Sequence, residues 1–322
     1  MFYERKVKSA WQRQGYHPDW VLVSFRILRL AFINSLGLTA ESHSTKQSDT
    51  NKVSTYDFFY CINLNSMIQV SHLSKDFRLT RRQRREHGPQ YKNAKTIRAV
   101  DDVSFECKAG RVFGLIGPNG AGKTTILRIV STMLKPSHGS VTVAGYDTLK
   151  QPQEVRRHIG FMTAQTALYD RLTPTEMVQY IADLYGMEMS HFEERREKIF
   201  SMLDMQNFSD RRIARLSSGM KQKTSIARTI IHDPDVVVFD EPTTGLDVMT
   251  ARRIIELIRA CREEGKTVIF STHQMSEVKL LCDDLAIIHE GRLYFNGSRD
   301  QFENQMTEST YEDEFVRLVE EA

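Results

Sequence analysis

With 322 residues, 40% of them hydrophobic, the chain can bury one large core or two modest ones, which excludes a disordered or collagen-like protein. Its formal net charge of +3 is unevenly placed: residues 1–66 hold 8 of the 44 Lys and Arg and 5 of the 41 Asp and Glu, leaving 36 of each in a neutral remainder. The four cysteines, Cys61, Cys107, Cys261 and Cys282, form no CxxC pair, which argues against a zinc site or disulfide framework and suits a reducing cytoplasm.

Residues 1–66 also contain both tryptophans, Trp11 and Trp20, and the run "VLVSFRILRLAFINSLGLTA". Arg26 and Arg29 interrupt that run, so its apolar stretches are too short to span a membrane. A basic, aromatic helix suits a lipid interface, but the polar "ESHSTKQSDTNKVST" that follows reads as a disordered linker, and no chemical motif occurs before Met67. The expectation is an extension over 1–66, disordered or not native, ahead of a domain that opens with "MIQVSHLSKDF".

From Met67, the runs "MIQVSHL", "IRAVDDVSFECKAG" and "SVTVAGYDT" predict antiparallel strands joined by turns. The short apolar runs "RVFGLI", "IGFMTA", "VVVFD", "TVIFST" and "LAIIH" predict buried parallel strands. Amphipathic stretches such as "PTEMVQYIADLYG" and "VMTARRIIELIRACREEG" separate several of them. The pattern is α/β with a largely parallel core sheet, and it contains no internal repeat.

"GLIGPNGAGKTT" follows a predicted strand and leads into the helical "TILRIVSTML", the context that the phosphate-loop pattern GxxxxGK[ST] requires. The candidate cradle is Gly117, Pro118, Asn119, Gly120, Ala121, Gly122, Lys123, Thr124 and Thr125. Backbone N–H groups of the loop approach phosphates where a Cβ would block them, Lys123 reaches the outer phosphates, and the Thr124 hydroxyl suits a magnesium ion. In "VVVFDEP" a buried strand ends in Asp240, placed to hold magnesium, and Glu241, placed to orient or activate a water beside the terminal phosphate. "TVIFSTH" delivers His273 one strand-and-helix unit later, where a neutral imidazole can sense that phosphate or fix the water. "LSSGM" at 216–220 starts a second anion-ready helix in a chain that already has a phosphate cradle.

In order, "GPNGAGKTT", Gln165 in "FMTAQTALYDRLT", "LSSGM", "VVVFDEPTTGLD" and "STH" resemble the ATP-binding subunits of ABC transporters over residues 67 to about 300. The resemblance implies a P-loop NTPase fold: a mostly parallel sheet, an antiparallel β subdomain, and a helical signature subdomain at about 166–225. The ATP-binding domain is then 67–305 and a helical tail 306–322. ATP and Mg2+ are the implied ligands. Gln165 matches the loop that joins the core to the helical subdomain and senses magnesium, and Asp247 matches the loop that crosses a dimer interface. Ser217 and Gly219 would close over the ATP of a second ATP-binding subunit, which explains the second anion site. Here Ser218 and Met220 replace a glycine and the glutamine of the commoner "LSGGQ".

An aromatic residue shortly after the first strand stacks on adenine in similar proteins, and Phe77 stands there, with Tyr91 as competitor inside the insertion "RLTRRQRREHGPQYKNAKT". The insertion's Arg81, Arg82, Arg84 and Arg85 read as a solvated loop, and no nucleic acid is expected. "ALYDRLTPTEMVQYIADLYGM" and "STHQMSEVKLLCDDLAIIHEGRLYFNGS" are similar to the bacterial sodium-efflux and drug-exporter branch, which implies a separate membrane-spanning permease and a peripheral position on the cytoplasmic face of the membrane. A ribosome-acting ABC protein would ordinarily carry two such domains, and a chromosome-maintenance ATPase a long coiled coil before the signature. This sequence has one phosphate loop and only a short intervening stretch.

Overall fold

The computed structural model describes residues 66–80, 94–163 and 168–321, all within the unit Thr55–Ala322. The expectations for residues 1–65, for the arginine-rich insertion with Tyr91, for Cys61 and for Gln165 lie outside the described residues.

Two antiparallel strands, β1 (Ser66–Arg78) and β2 (Thr96–Lys108), come first. Ile68 and Val70 point inward with the period of two, and an irregularity around His72, where φ is +49°, shifts the register so that Leu73 is buried as well. There follow β3 (Val112–Ile116), helix α1 (Lys123–Val130), β4 (His138–Val143) and β5 (Tyr146–Asp147). Ala144 and Gly145 between the last two both have positive φ, as a tight two-residue hairpin turn requires. Apart from β3, these strands form an antiparallel sheet of order β2-β1-β4-β5, matching the early runs of the sequence.

Next are α2 (Pro152–His158), β6 (Ile159–Met162), α3 (Pro174–Leu184), α4 (Met189–Met202) and a single 3-10 turn at Ile213–Arg215. Then come α5 (Ser218–Ile230), β7 (Val236–Asp240), α6 (Val248–Glu263), β8 (Thr267–Thr272) and α7 (Met275–Leu281). The chain ends in β9 (Asp284–His289), β10 (Arg292–Ser298), α8 (Arg299–Gln305) and α9 (Tyr311–Glu320). The second sheet has the order β10-β9-β3-β8-β7-β6. All five apolar runs lie in it as parallel neighbours. What the periodicity did not reveal is β10, an antiparallel edge strand whose residues are only partly buried and which therefore lacks an apolar run.

Both faces of this sheet are covered along its parallel strands, which are therefore largely apolar, unlike the edge strand β10. Along β7, Val236 and Val238 enter one core with Ile126 and Leu127 of α1 and with β1 and β2, while Val237 and Phe239 enter the other with α3, α4, α5 and α6. Burying each such side chain contributes roughly 1.5–3 kcal/mol. α3 begins at Thr173 with a reciprocal cap between Thr173 and Glu176, and its Met177 and Val178 share the second core with Phe192 and Ile199 of α4 and Ile226 of α5. Cys107, Cys261 and Cys282 are free thiols in these cores. Among the described residues no helix is long and apolar enough to cross a membrane.

α9 is fastened by a buried carboxylate. Glu314 accepts hydrogen bonds from the Arg317 guanidinium at 2.5 Å and from the backbone N–H groups of Thr307 and Glu308 at 3.0 and 3.1 Å. Arg317 first, and then those N–H groups, hold its carboxyl down at about 2, against an ordinary value of 4.5. The folded-state value is depressed, so this contribution is complete above about 4.5 and is lost as pH falls toward 2. Hydrogen exchange across α9, taken relative to the intrinsic amide rate at each pH, is expected to accelerate in that window in the wild type. In Glu314→Gln it should already be fast at pH 7 and respond little to acid.

Candidate functional site

β8 lies between β3 and β7, and the functional residues gather at the carboxyl ends of these three strands. The phosphate loop leaves β3 at Gly117, whose N–H donates to Thr272 O at the end of β8 (3.3 Å). A Cβ at Gly117 would sit 2.0 Å from Ile288 O, and one at Gly122 would sit 2.5 Å from Ala99 O. Gly122 also has φ +106° and is the cap from which α1 starts, so only glycine fits the loop there. The N–H groups of Lys123, Thr124 and Thr125 fall in the first turn of α1, where a helix offers no internal acceptor, and they stand ready for an anion.

Lys123 is buried, and its ammonium donates to Gly117 O (2.7 Å) and Pro118 O (3.0 Å), with Glu241 Oε1 at 3.4 Å. Burial pulls its pKa below the usual lysine range, and the Glu241 carboxylate opposes that pull. Thr124 Oγ1 donates to Asp240 Oδ1 at 3.0 Å, and Ser271 Oγ donates to the same oxygen at 2.7 Å. A hydroxyl and a carboxylate side by side are hard oxygen donors of the kind Mg2+ takes together with phosphate oxygens and water, so the residues fit that ion.

Glu241 has a left-handed backbone, φ +50°, a conformation that costs a non-glycine residue roughly 1–2 kcal/mol. Its N–H donates to Ser271 Oγ (3.0 Å), and its carboxylate receives the Thr244 hydroxyl (3.1 Å). The carboxylate also lies 3.4 Å from Nδ1 of His273. Burial alone would raise its pKa, but Lys123, the Thr244 hydroxyl and His273 outweigh it and hold the carboxyl below the ordinary range. The phosphate loop, Thr124, Asp240, Glu241 and His273 therefore form one connected group.

Ser217 and Gly219 belong to another locality. Ser217 caps α5, its hydroxyl accepting from Met220 N (3.3 Å), and the atoms nearest a Cβ at Gly219 are those of Thr250 and Asp247. Asp247 itself caps α6, accepting from Thr250 N (3.0 Å) and Thr250 Oγ1 (2.8 Å). Phe77 lies inside β1, not after it, because pairing with β2 continues through Phe77–Ile97 to Arg78–Thr96. Its ring is 37% exposed, with the Lys75 ammonium 5.2 Å from the centroid.

A family model described as ABC transporter matches residues 100–244. The chain is 44% identical over 216 residues to the ABC transporter ATP-binding protein NatA of Bacillus subtilis, a match covering 66% of this chain and 88% of that protein. The chain belongs to the ABC transporter ATP-binding family. It is an ATPase, with the ABC fold expected from its motifs. The Nod factor export ATP-binding protein I of Ralstonia nicotianae is 35% identical over 198 residues, covering 62% of this chain and 62% of that one. Among solved structures, a dimeric bacterial ABC transporter cassette, MJ0796, superposes with a TM-score of 0.63 at 25% identity, over 72% of this chain and 98% of that cassette.

Three contributors had not been singled out from the ABC motifs. Ser271 stands inside "STH", Thr244 inside "EPTTGLD", and Gln222, one turn into α5, donates from its amide to Pro242 O at 2.8 Å. The first two sat in quoted motifs as unremarked polar residues. Gln222 had no sequence signal, because its partner is 20 positions away.

Proposed function

We propose that the chain hydrolyses ATP to drive export through a separate membrane-spanning permease, with a sodium ion as cargo and drug-like solutes as the second reading. The observation that carries the catalytic part is the contact of Glu241 with both Lys123 and His273 at the mouth of the phosphate loop. The N–H groups of the loop and of the α1 start hold the β- and γ-phosphates, and Lys123 pairs with the outer ones. Thr124 and Asp240, with Gln165 from outside the described residues, would hold Mg2+, which when bound neutralises charge on the phosphate oxygens. Lys123, the Thr244 hydroxyl and His273 all favour the ionised form of Glu241. Its carboxylate accepts a water O–H beside the γ-phosphate, the position from which it orients that water or takes its proton. His273 braces that carboxylate through Nδ1 and meets the γ-phosphate through its other nitrogen. Adenine stacks on Phe77.

The second ATP-binding subunit enters through α5. Its N-terminus, with Ser217 and Gly219, is an anion site whose own chain contacts run to Met220 and the Asp247–Thr250 turn. We infer that it completes the charge cage around the ATP of the partner, an arrangement supported by the dimeric cassette that shares this fold. The export direction is supported by similarity to a Nod factor export protein and by the exporter-like segments "ALYDRLTPTEMVQYIADLYGM" and "STHQMSEVKLLCDDLAIIHEGRLYFNGS".

Glu241→Gln is expected to bind ATP with unchanged affinity while its turnover drops at least about 100-fold. Near-normal turnover in single-turnover assays would remove Glu241 from the mechanism. For the trans arrangement, a Lys123→Ala subunit mixed with a Ser217→Arg subunit leaves one site with an intact loop and an intact signature, so ATPase activity should return in the mixture. Should the mixture form dimers by light scattering and stay inactive at every ATP concentration, the signature does not serve a partner's site that can fire singly. For the cargo, vesicles holding this subunit with its permease should lose sodium on ATP addition, and a dye-drug efflux without sodium movement would favour the second reading.

A further inference from the structure

The proposed pair of Glu241 and His273 sits on two separate loops, one leaving β7 and one leaving β8. Glu241 is in a left-handed conformation, and His273 follows the last residue of its strand. Joined to both loops is a buried carboxylate that no nucleotide motif includes. Glu277, in the first turn of α7, is 5% exposed. One carboxylate oxygen accepts from the Thr243 hydroxyl, and the other accepts from the Thr272 hydroxyl at 2.5 Å. Thr243 is two residues beyond Glu241, in a turn closed by Thr244 N to Glu241 O (3.3 Å). Thr272 directly precedes His273, and its hydroxyl also accepts from the N–H of Gln274, so the peptide that follows His273 is tied to it.

We propose that Glu277 is a positioning residue for ATP hydrolysis, its single carboxylate clamping the Glu241 loop through Thr243 and the His273 loop through Thr272. The proposal rests on the reading of Glu241 and His273 as the hydrolytic pair. A carboxylate buried among neutral hydroxyls gives up hydration that a well-packed apolar side chain would not have to surrender, so stability alone is a poor reason for its presence. What the two charge-assisted bonds supply is direction: they fix two hydroxyls, and with them two loops, relative to one rigid helix. Misplacing a reacting group by about 1 Å costs up to roughly 100-fold in rate. Thr272 also touches the phosphate loop, but through its backbone carbonyl, which receives the Gly117 N–H, and replacing its hydroxyl leaves that contact in place.

The test uses Thr243→Val and Thr272→Val, singly and together, with Glu277→Gln and Glu277→Ala, all in the full chain. The valines keep the volume and remove one hydroxyl each. The expected result is a fall in kcat of about tenfold or more with nucleotide affinity, read by titration with a fluorescent ATP analogue, within about twofold of wild type. Glu277→Gln should retain more activity than Glu277→Ala, and the double valine variant should lose less than the product of the single losses, since both act through one carboxylate. Val278→Ala, a buried neighbour in the same helix, is the control for plain destabilisation. The clamp is overturned if Val278→Ala with an equal drop in Tm loses as much kcat per folded molecule, or if the valine variants turn over at the wild-type rate. A Glu241→Gln variant in the same assay separates the two ideas: if it is inactive while the valine variants are fully active, only the clamp falls, and if it is active, the underlying reading falls.

Discussion

The register of β8 is the constraint on which the site depends. This strand is parallel to β3 on one side and to β7 on the other, pairing Thr272 with Ile116 and Ser271 with Asp240. From that position its backbone holds the first N–H of the phosphate loop, and the Ser271 hydroxyl bridges the Asp240 carboxylate and the N–H of Glu241. A slip of one residue would turn Ser271 to the opposite face, leaving Asp240 with Thr124 alone and the Glu241 N–H without its partner. The strand is buried at all six positions, so its register is pinned by the hydrogen bonds of Ser271 and Thr272 and not by an alternation of apolar and exposed residues.

The charges at the strand ends form a balanced set. Lys123 is drawn by two loop carbonyls and by Glu241, and Asp240 is satisfied by two hydroxyls. On the proposed reading, phosphate oxygens compete with Glu241 for the ammonium, so arrival of the nucleotide loosens the Lys123–Glu241 pair and leaves the carboxylate to His273, Thr244 and a water. Substrate binding and the orientation of the attacking group then draw on the same ammonium.

Most of the sheet was legible because buried parallel strands must be continuously apolar, as "VVVFD" and "TVIFST" are. The phosphate loop was legible because its chemistry needs adjacent residues: glycines where no Cβ fits, then a lysine and a threonine at the helix start. β10 was not, since an edge strand exposed on one side carries no apolar run. Phe77 was expected beyond the first strand, and the pairing that extends β1 past it depends on β2, across an insertion that hides the relation. Ser271, Gln222 and Glu277 escaped for one common reason. Each is an ordinary polar residue whose meaning lies in a hydrogen bond to a distant segment, Asp240 for Ser271, Pro242 for Gln222 and Thr243 for Glu277, and strand order and register, not local sequence, decide such bonds.

α5 has two ends of interest that are only one turn apart. At its start Ser217 caps a helix whose free N–H groups suit a phosphate, and at Gln222 it grips the carbonyl of Pro242, the residue after Glu241. On the trans reading, the first of these belongs to the neighbour's nucleotide and the second to the chain's own hydrolytic loop. A helix is stiff over so short a span, so a displacement at one end is delivered to the other almost undiminished. Whatever free energy the neighbour's nucleotide gains from moving this helix must then reappear, in equal measure, in the affinity of the chain's own site. The two ATP molecules would sense each other through a single amide, without any large rearrangement of the domain between them.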